Sequence, residues 1–204
     1  MNKVLAAIAV ILVLSQFNLY CVENSIVEDK KENRDFYLQF DNDYTEIDGK
    51  LSSTVGFSGA YELNDNFSIG LAANGIWYDY RLDELDPEMT YHVESGYTGI
   101  YLQGNMDITN RIEMNLSLMS GTGIVQLKYD RKYRKELKWD EEIIDRETFA
   151  VAELKMGANY RIGDYWKLGL TASYRSTSEI WIESLEQDLF NNLKFGVAIQ
   201  YSIF

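Results

Sequence analysis

The chain is poor in the residues that most enzymes and metal proteins rely on. Its 204 residues hold one cysteine, one histidine and one proline. A single cysteine excludes an internal disulfide framework and a cysteine-rich zinc site. A single histidine excludes a histidine-rich metal centre, so neither metal nor cofactor is expected. Positive charge is also scarce: 19 Lys and Arg stand against 32 Asp and Glu, a net charge of −13. A nucleic-acid binder needs a net positive surface, so nucleic acid is excluded as a general partner. No apolar run reaches the ~20 residues of a membrane-spanning helix. The longest, Val4 to Leu14, has eleven residues. Aromatics are plentiful, with 15 Tyr, 9 Phe and 4 Trp, which argues against disorder.

Lys3 followed by that short apolar run reads as a secretory signal peptide over 1–21. Cys21 lies near its end. A charged leader follows over 22–35, and a single domain over 36–204.

The domain is patterned at period two, the signature of strands with two unlike faces. Trp166, Leu168, Leu170, Ala172 and Tyr174 alternate with Lys167, Gly169, Thr171, Ser173 and Arg175. The same rhythm runs through 51–63, 67–77, 111–119, 148–160 and 193–204, and more weakly through 36–43 and 93–105. That makes eight strands. Short polar turns stand at 64–66, 107–110 and 161–164. Longer connections are expected at 44–50, 79–92, 130–147 and 176–192. Short turns at one end and long connections at the other describe an all-β, antiparallel, up-and-down barrel.

Three features put the apolar face outside, against lipid. Tyr61, Phe67, Tyr160, Tyr165 and Trp166 flank the short turns, while Trp77 and Tyr174 mark the far strand ends. Two such aromatic belts suit the two membrane interfaces. The other face carries charges of both signs, Glu62, Arg111, Glu113, Glu153, Lys155, Lys167, Arg175 and Lys194, which can neutralise one another in a filled interior. The chain also ends on a strand, with Phe195, Val197, Ile199 and Tyr201 in alternation and Phe204 last.

That final block resembles the C-terminal assembly signal of bacterial outer-membrane barrels, although Ser202 stands where an aromatic is usual. Residues 36–204 resemble the small eight-stranded transmembrane barrels of the OmpX/OmpA type. The resemblance implies an outer-membrane location in a Gram-negative type cell. It implies lipid and lipopolysaccharide as surroundings, the barrel-assembly machinery as a partner, and a non-enzymatic structural or adhesin-like role. The alternative is a soluble or lipid-anchored lipocalin-like barrel with an apolar ligand inside.

Few residues offer chemistry. His92 and Ser95 lie three apart, on opposite faces of a strand, which leaves a barrel hydrolase as a weaker alternative. Asp41 and Asp43 share a face and read as solvated acidic loop residues. Gly121-Thr122-Gly123 reads as a bulge or bend. The segment from Lys128 is the most unusual. Lys128, Arg131, Lys132, Arg134, Lys135 and Lys138 make a basic arm, and five acids among 140–147 make an acidic one. The arms either pair with each other or present a patch for phosphates, acidic polysaccharide or a host ligand, with Trp139 at the tip. Trp181, Leu185 and Leu189 are spaced for a short amphipathic helix, and 179–183 reads equally well as more strand.

Overall fold

A computed structural model describes residues 36–47, 49–64, 66–78, 91–129, 143–182 and 185–203. For Tyr91, His92 and Tyr129 it describes the backbone alone. The expected signal peptide, Cys21, the leader, Phe204 and the arm from Arg131 to Trp139 lie outside these residues.

Eight strands run in chain order: β1 (Phe36–Ile47), β2 (Lys50–Asn64), β3 (Phe67–Trp77), β4 (Tyr91–Asp107), β5 (Ile112–Tyr129), β6 (Ile143–Ile162), β7 (Trp166–Thr177) and β8 (Asn192–Ile203). Each pairs antiparallel with the next, and β8 pairs with β1 to close the barrel. Closure leaves no edge over the height where all eight strands pair; above it, Tyr91–Glu94 of β4 have no ladder partner in β3 and Ile143–Ala150 of β6 have none in β7. Following partners from Phe36 through Tyr61, Ile69, Leu102, Leu118, Leu154 and Tyr174 leads to Leu193. Its neighbour Lys194 pairs with Thr45, so the circuit returns to β1 about ten residues higher. For eight strands that stagger corresponds to a tilt of roughly 40° and a rise of about 2.5 Å per residue. The 11 residues of β3 then cover about 25 Å, the height of a transmembrane apolar band.

The alternation resolves as apolar outside. Phe40, Phe57, Leu71, Ile100, Leu102, Met156, Leu170, Phe195 and Val197 are all exposed. Tyr61, Tyr160, Tyr165, Trp166 and Tyr201 ring the short-turn end, and Tyr44, Trp77 and Tyr174 stand toward the other. Gln39, Asp41, Thr54, Ser68, Asn115, Glu153, Ser173, Lys194 and Gln200 are buried inside. A lipocalin-like barrel needs the reverse, so that alternative is overturned.

Two expected connections differ. Residues 44–50 are no long loop: Ile47 pairs directly with Lys50 across a tight hairpin, with Gly49 at φ 70°, a left-handed conformation that glycine takes without strain. Short and long connections therefore do not alternate strictly. The described residues after β7, 178–182 and 185–191, form neither helix nor strand. They fold as successive turns, with Leu185 N–H donating to the Ile182 carbonyl and Leu189 N–H to that of Glu186. Leu185 and Leu189 are buried and Trp181 is exposed.

Gly121 and Gly123 form no bulge either. Their pairing with β4 is unbroken from Tyr97–Gly123 to Gly99–Gly121. A Cβ on Gly121 would strike the Thr98 carbonyl, and one on Gly123 would strike the Phe149 ring. Here the missing side chain lets the wall and an inward aromatic pack closely.

Candidate functional site: the filled lumen and its long-loop mouth

The inward positions of eight strands converge on a narrow space, and the sequence fills it in tiers. At the short-turn end, Glu113 on β5 is bracketed by cations from β6 and β7. Lys167 Nζ donates to its two carboxylate oxygens at 3.0 and 2.9 Å, and Arg161 donates to Oε2 at 2.9 Å. Arg161 also bonds Asp107, and Asn159 reaches Glu113 Oε1 at 3.5 Å. Glu62 on β2 is half-buried. Above this pairing, Tyr101 and Tyr37 meet hydroxyl to hydroxyl at 3.2 Å.

The middle tier is a second cluster. Lys194, fully buried, lies 2.9 Å from Glu153 Oε1 and 3.4 Å from Asp43 Oδ2. It also donates to the Tyr97 oxygen at 3.0 Å, and Tyr97 donates to Glu153 Oε2 at 2.7 Å. Lys155 is shared by Asp41 at 3.3 Å, Asp43 at 3.6 Å and Glu153 at 4.0 Å. Thr171 donates to Asp43 at 2.7 Å and Gln39 to Asp41 at 2.9 Å. Three carboxylates and two lysines, with Arg175 beside them on β7, are charge-balanced. Balance and hydrogen bonding are what make buried charge tolerable. A cavity of about 30 Å³ between Gln39, Asp41, Asn74, Ser117 and Lys155 has room for a water or two and for nothing larger.

The top tier is apolar. Val93, Val125, Leu127, Phe149 and Val151 point inward from β4, β5 and β6, and Ile47 and Ile76 join them from β1 and β3. Ile180, Ile182, Leu185, Leu189 and Phe190 descend onto them from the segment after β7. Phe149 and Phe190 meet with ring centroids 5.8 Å apart. This segment is held at its edges: Ala150 N–H donates to Ser178 Oγ at 3.0 Å, Thr177 N–H to Asn191 Oδ1 at 2.6 Å, and Trp181 N–H to Glu147.

Of the expected interior charges, Glu113, Glu153, Lys155, Lys167, Arg175 and Lys194 come together inside. Arg111 does not. It lies in the bend before β5, exposed, with its guanidinium on the outward Tyr160 hydroxyl at 3.2 Å. Asp41 and Asp43 correct the other way: they are 3% and 1% exposed and central to the lumen. The signal was the parity of Tyr37, Gln39, Asp41, Asp43 and Thr45, all inward on a β1 that continues past Asp43. Lys128 is no surface ligand group either. It is 6% exposed and pairs with Glu94 of β4, because β5 continues to Tyr129 and carries Lys128 into the wall. Ser95 Oγ donates to the Ile124 carbonyl at 3.1 Å. The expected assembly stripe of Phe195, Val197, Ile199 and Tyr201 lies on the outward face of β8. Among the described residues, no group of His, Cys, Asp and Glu could hold a metal ion.

No protein-family model matches the chain, and no curated protein does. Solved structures do match. Neisserial surface protein A superposes with a TM-score of 0.60 at 10% identity, over 82% of this chain and 97% of that one. The N-terminal β-barrel domain of Pseudomonas aeruginosa OprF gives 0.53 at 10% identity, over 85% and 100%. A de novo designed transmembrane β-barrel gives 0.50 at 8% identity, over 86% and 100%. The shared property is the fold, that of the small eight-stranded outer-membrane barrels.

Proposed function

We propose that the protein is a closed, non-conducting, non-enzymatic barrel of an outer membrane, working at its long-loop end as a structural or surface-binding, adhesin-like element. The observation that carries this reading is the filling of the lumen. Among the described residues, two ion-pair clusters and an apolar cap block it at three levels, and the cavity beside Lys155 holds about 30 Å³. A diffusion pore needs a continuous aqueous path.

The long-loop side is where β4, β5 and β6 run longest, with 17, 18 and 20 residues. At about 2.5 Å per residue they overreach a 25 Å band by 15 Å or more. β5 and β6 flank the sequence segment that carries Arg131, Lys132, Arg134, Lys135, Lys138 and Trp139. Guanidinium and ammonium groups in such number suit lipopolysaccharide phosphates or acidic host polysaccharide. The alternating stripe on β8 fits recognition by the barrel-assembly machinery.

The test has two arms on the full chain folded into lipid. In planar bilayers, no conductance steps are expected, and discrete steps would refute the closed lumen. Glu replacing Arg131, Lys132 and Arg134 together is expected to weaken retention on immobilised lipopolysaccharide or heparin without loss of folding. Unchanged retention would refute the basic arm as the binding element.

A further inference from the structure

Arg175 differs from the other buried cations of the lumen. Its side chain is fully buried, and its Nε donates to the Phe190 carbonyl at 2.8 Å. Its two Nη atoms have no hydrogen-bond partner among the described residues. The carboxylates nearby are taken: Lys194 and Lys155 share Glu153, Asp43 and Asp41. The guanidinium carbon lies 5.4 Å from the ring centroids of both Tyr97 and Phe190. Two rings thus hold a planar fork in place while two of its nitrogens stay unmet. A buried guanidinium in that condition carries a desolvation cost that an oxyanion would offset, and its geometry matches a carboxylate bidentately.

The space above Arg175 has the opposite character. Val125, Phe149 and Val151 of the wall belong to one buried apolar cluster with Ile182, Leu189 and Phe190 of the chain's own turn segment. Glu153, the cross-strand partner of Arg175, lies four residues below Phe149 on β6, so the apolar wall rises about 10 Å above the backbone level of that pair. A cationic floor under apolar walls suits an anionic head with an apolar tail.

We propose that this cup is a binding site for a monocarboxylate with an unbranched apolar tail, of the medium-chain fatty-acid class, and that residues 180–182 and 185–190 occupy it as a displaceable stand-in. The apolar side chains of the segment take the tail's place, and the Phe190 carbonyl takes the head's. A neutral carbonyl meets only Nε, whereas a carboxylate also meets the Nη atoms. That difference is what lets the ligand compete with a tethered segment. The site does not use the basic arm that carries Arg131, Lys132 and Arg134.

The test follows Trp181, which the segment carries and which is exposed. The full chain is folded into lipid nanodiscs with Trp77, Trp139 and Trp166 replaced by Phe. It is then titrated with decanoate and, separately, with decanol. A saturable change in Trp181 emission is expected with decanoate and not with decanol. Arg175→Gln should raise the half-saturation point at least tenfold, the weight of a charge-assisted pair. Leu185→Ala with Leu189→Ala loosens the segment while keeping the cation, and should lower that point several-fold. Identical responses to decanoate and decanol would mean bilayer partitioning and overturn the proposal. Inorganic phosphate producing the same change would mean a small-anion site and overturn the ligand class. If Arg175→Gln fails to fold, the double alanine variant decides, since an unchanged half-saturation point refutes displacement.

Discussion

Glu153→Gln is the sharpest probe of the lumen. The substitution keeps shape and hydrogen-bonding atoms and removes one charge. Glu153 is 4% exposed and faces Lys194 at 2.9 Å and Lys155 at 4.0 Å. At an effective dielectric of ~20, the nearer pair alone amounts to about 6 kcal/mol of Coulomb attraction. Relief of the carboxylate's own desolvation, several kcal/mol, offsets part of that. Lys194 also keeps Asp43 at 3.4 Å and Tyr97 at 3.0 Å. A net loss of about 3 kcal/mol is therefore expected, at the lower end for breaking a buried pair. The assay is urea unfolding of the refolded barrel in lipid vesicles, with the folded fraction read from the mobility of unheated protein on a detergent gel. With a slope of ~2–3 kcal/mol per molar urea, the midpoint should fall by roughly 1–1.5 M. Lys194→Met in the same background should recover part of the loss, giving a coupling energy of about 2 kcal/mol in the double-mutant cycle. A shift under about 0.3 M, or simple additivity, would refute the reasoning. Either result would mean that water already screens the cluster and that the lumen is not closed.

The remaining expectations concern the wall. Leu170, outward on β7 and 69% exposed, lies near mid-height of the apolar band. Leu170→Arg should cost about 2–4 kcal/mol in vesicles, while Thr148→Arg, outward but above the band, should cost about 0–1 kcal/mol. Equal costs would show that the apolar face does not meet lipid. Gly123→Ala should destabilise by about 1–3 kcal/mol, because the added carbon meets the Phe149 ring. Phe149→Leu should restore most of that, and failure to do so would place the strain in the wall backbone.

The barrel was legible because its period is strict. Trp166 to Thr177 places five apolar and five polar or small residues on opposite sides without an exception up to Arg175, and one lipid-facing strand of that kind fixes its own register. Aromatic positions did the rest, since Tyr61, Phe67, Tyr160 and Trp166 all stand beside short turns and all face outward or partly so. Strand ends were less legible. β5 and β6 continue to Tyr129 and from Ile143, well past the clean alternation, because above the membrane no lipid enforces an apolar outer face. Gln126 and Arg146 can then occupy outward positions that a membrane-buried strand would refuse. The same reasoning hid Lys128, whose charge suggested a loop while its backbone stayed in the ladder opposite His92.

The interior divides where the membrane does, and that division explains what the sequence concealed. Within the band, the outward face must be apolar, so strands keep their polar residues for the lumen: Asp41, Asp43, Glu153, Lys155, Lys194. Asp41 and Asp43 look solvated by composition and are recognised as buried only by parity with Tyr37 and Gln39 on β1, whereas Glu153, Lys155 and Lys194 are read as interior from the alternation of their own strands. Above the band the constraint reverses. The outer face meets water, the lumen needs a dry core to hold long strands together, and Val93, Val125, Leu127, Phe149 and Val151 turn inward. The alternation therefore changes sign along single strands: on β6, inward Phe149 and Val151 give way to inward Glu153 and Lys155. Arg175 sits at that change of sign, with charged neighbours below and apolar ones above. A cation at such a boundary gains a partner from neither side completely, which is why its unmet nitrogens, rather than the lysines and carboxylates already bonded to one another beneath it, mark the place where an outside anion would find a binding site.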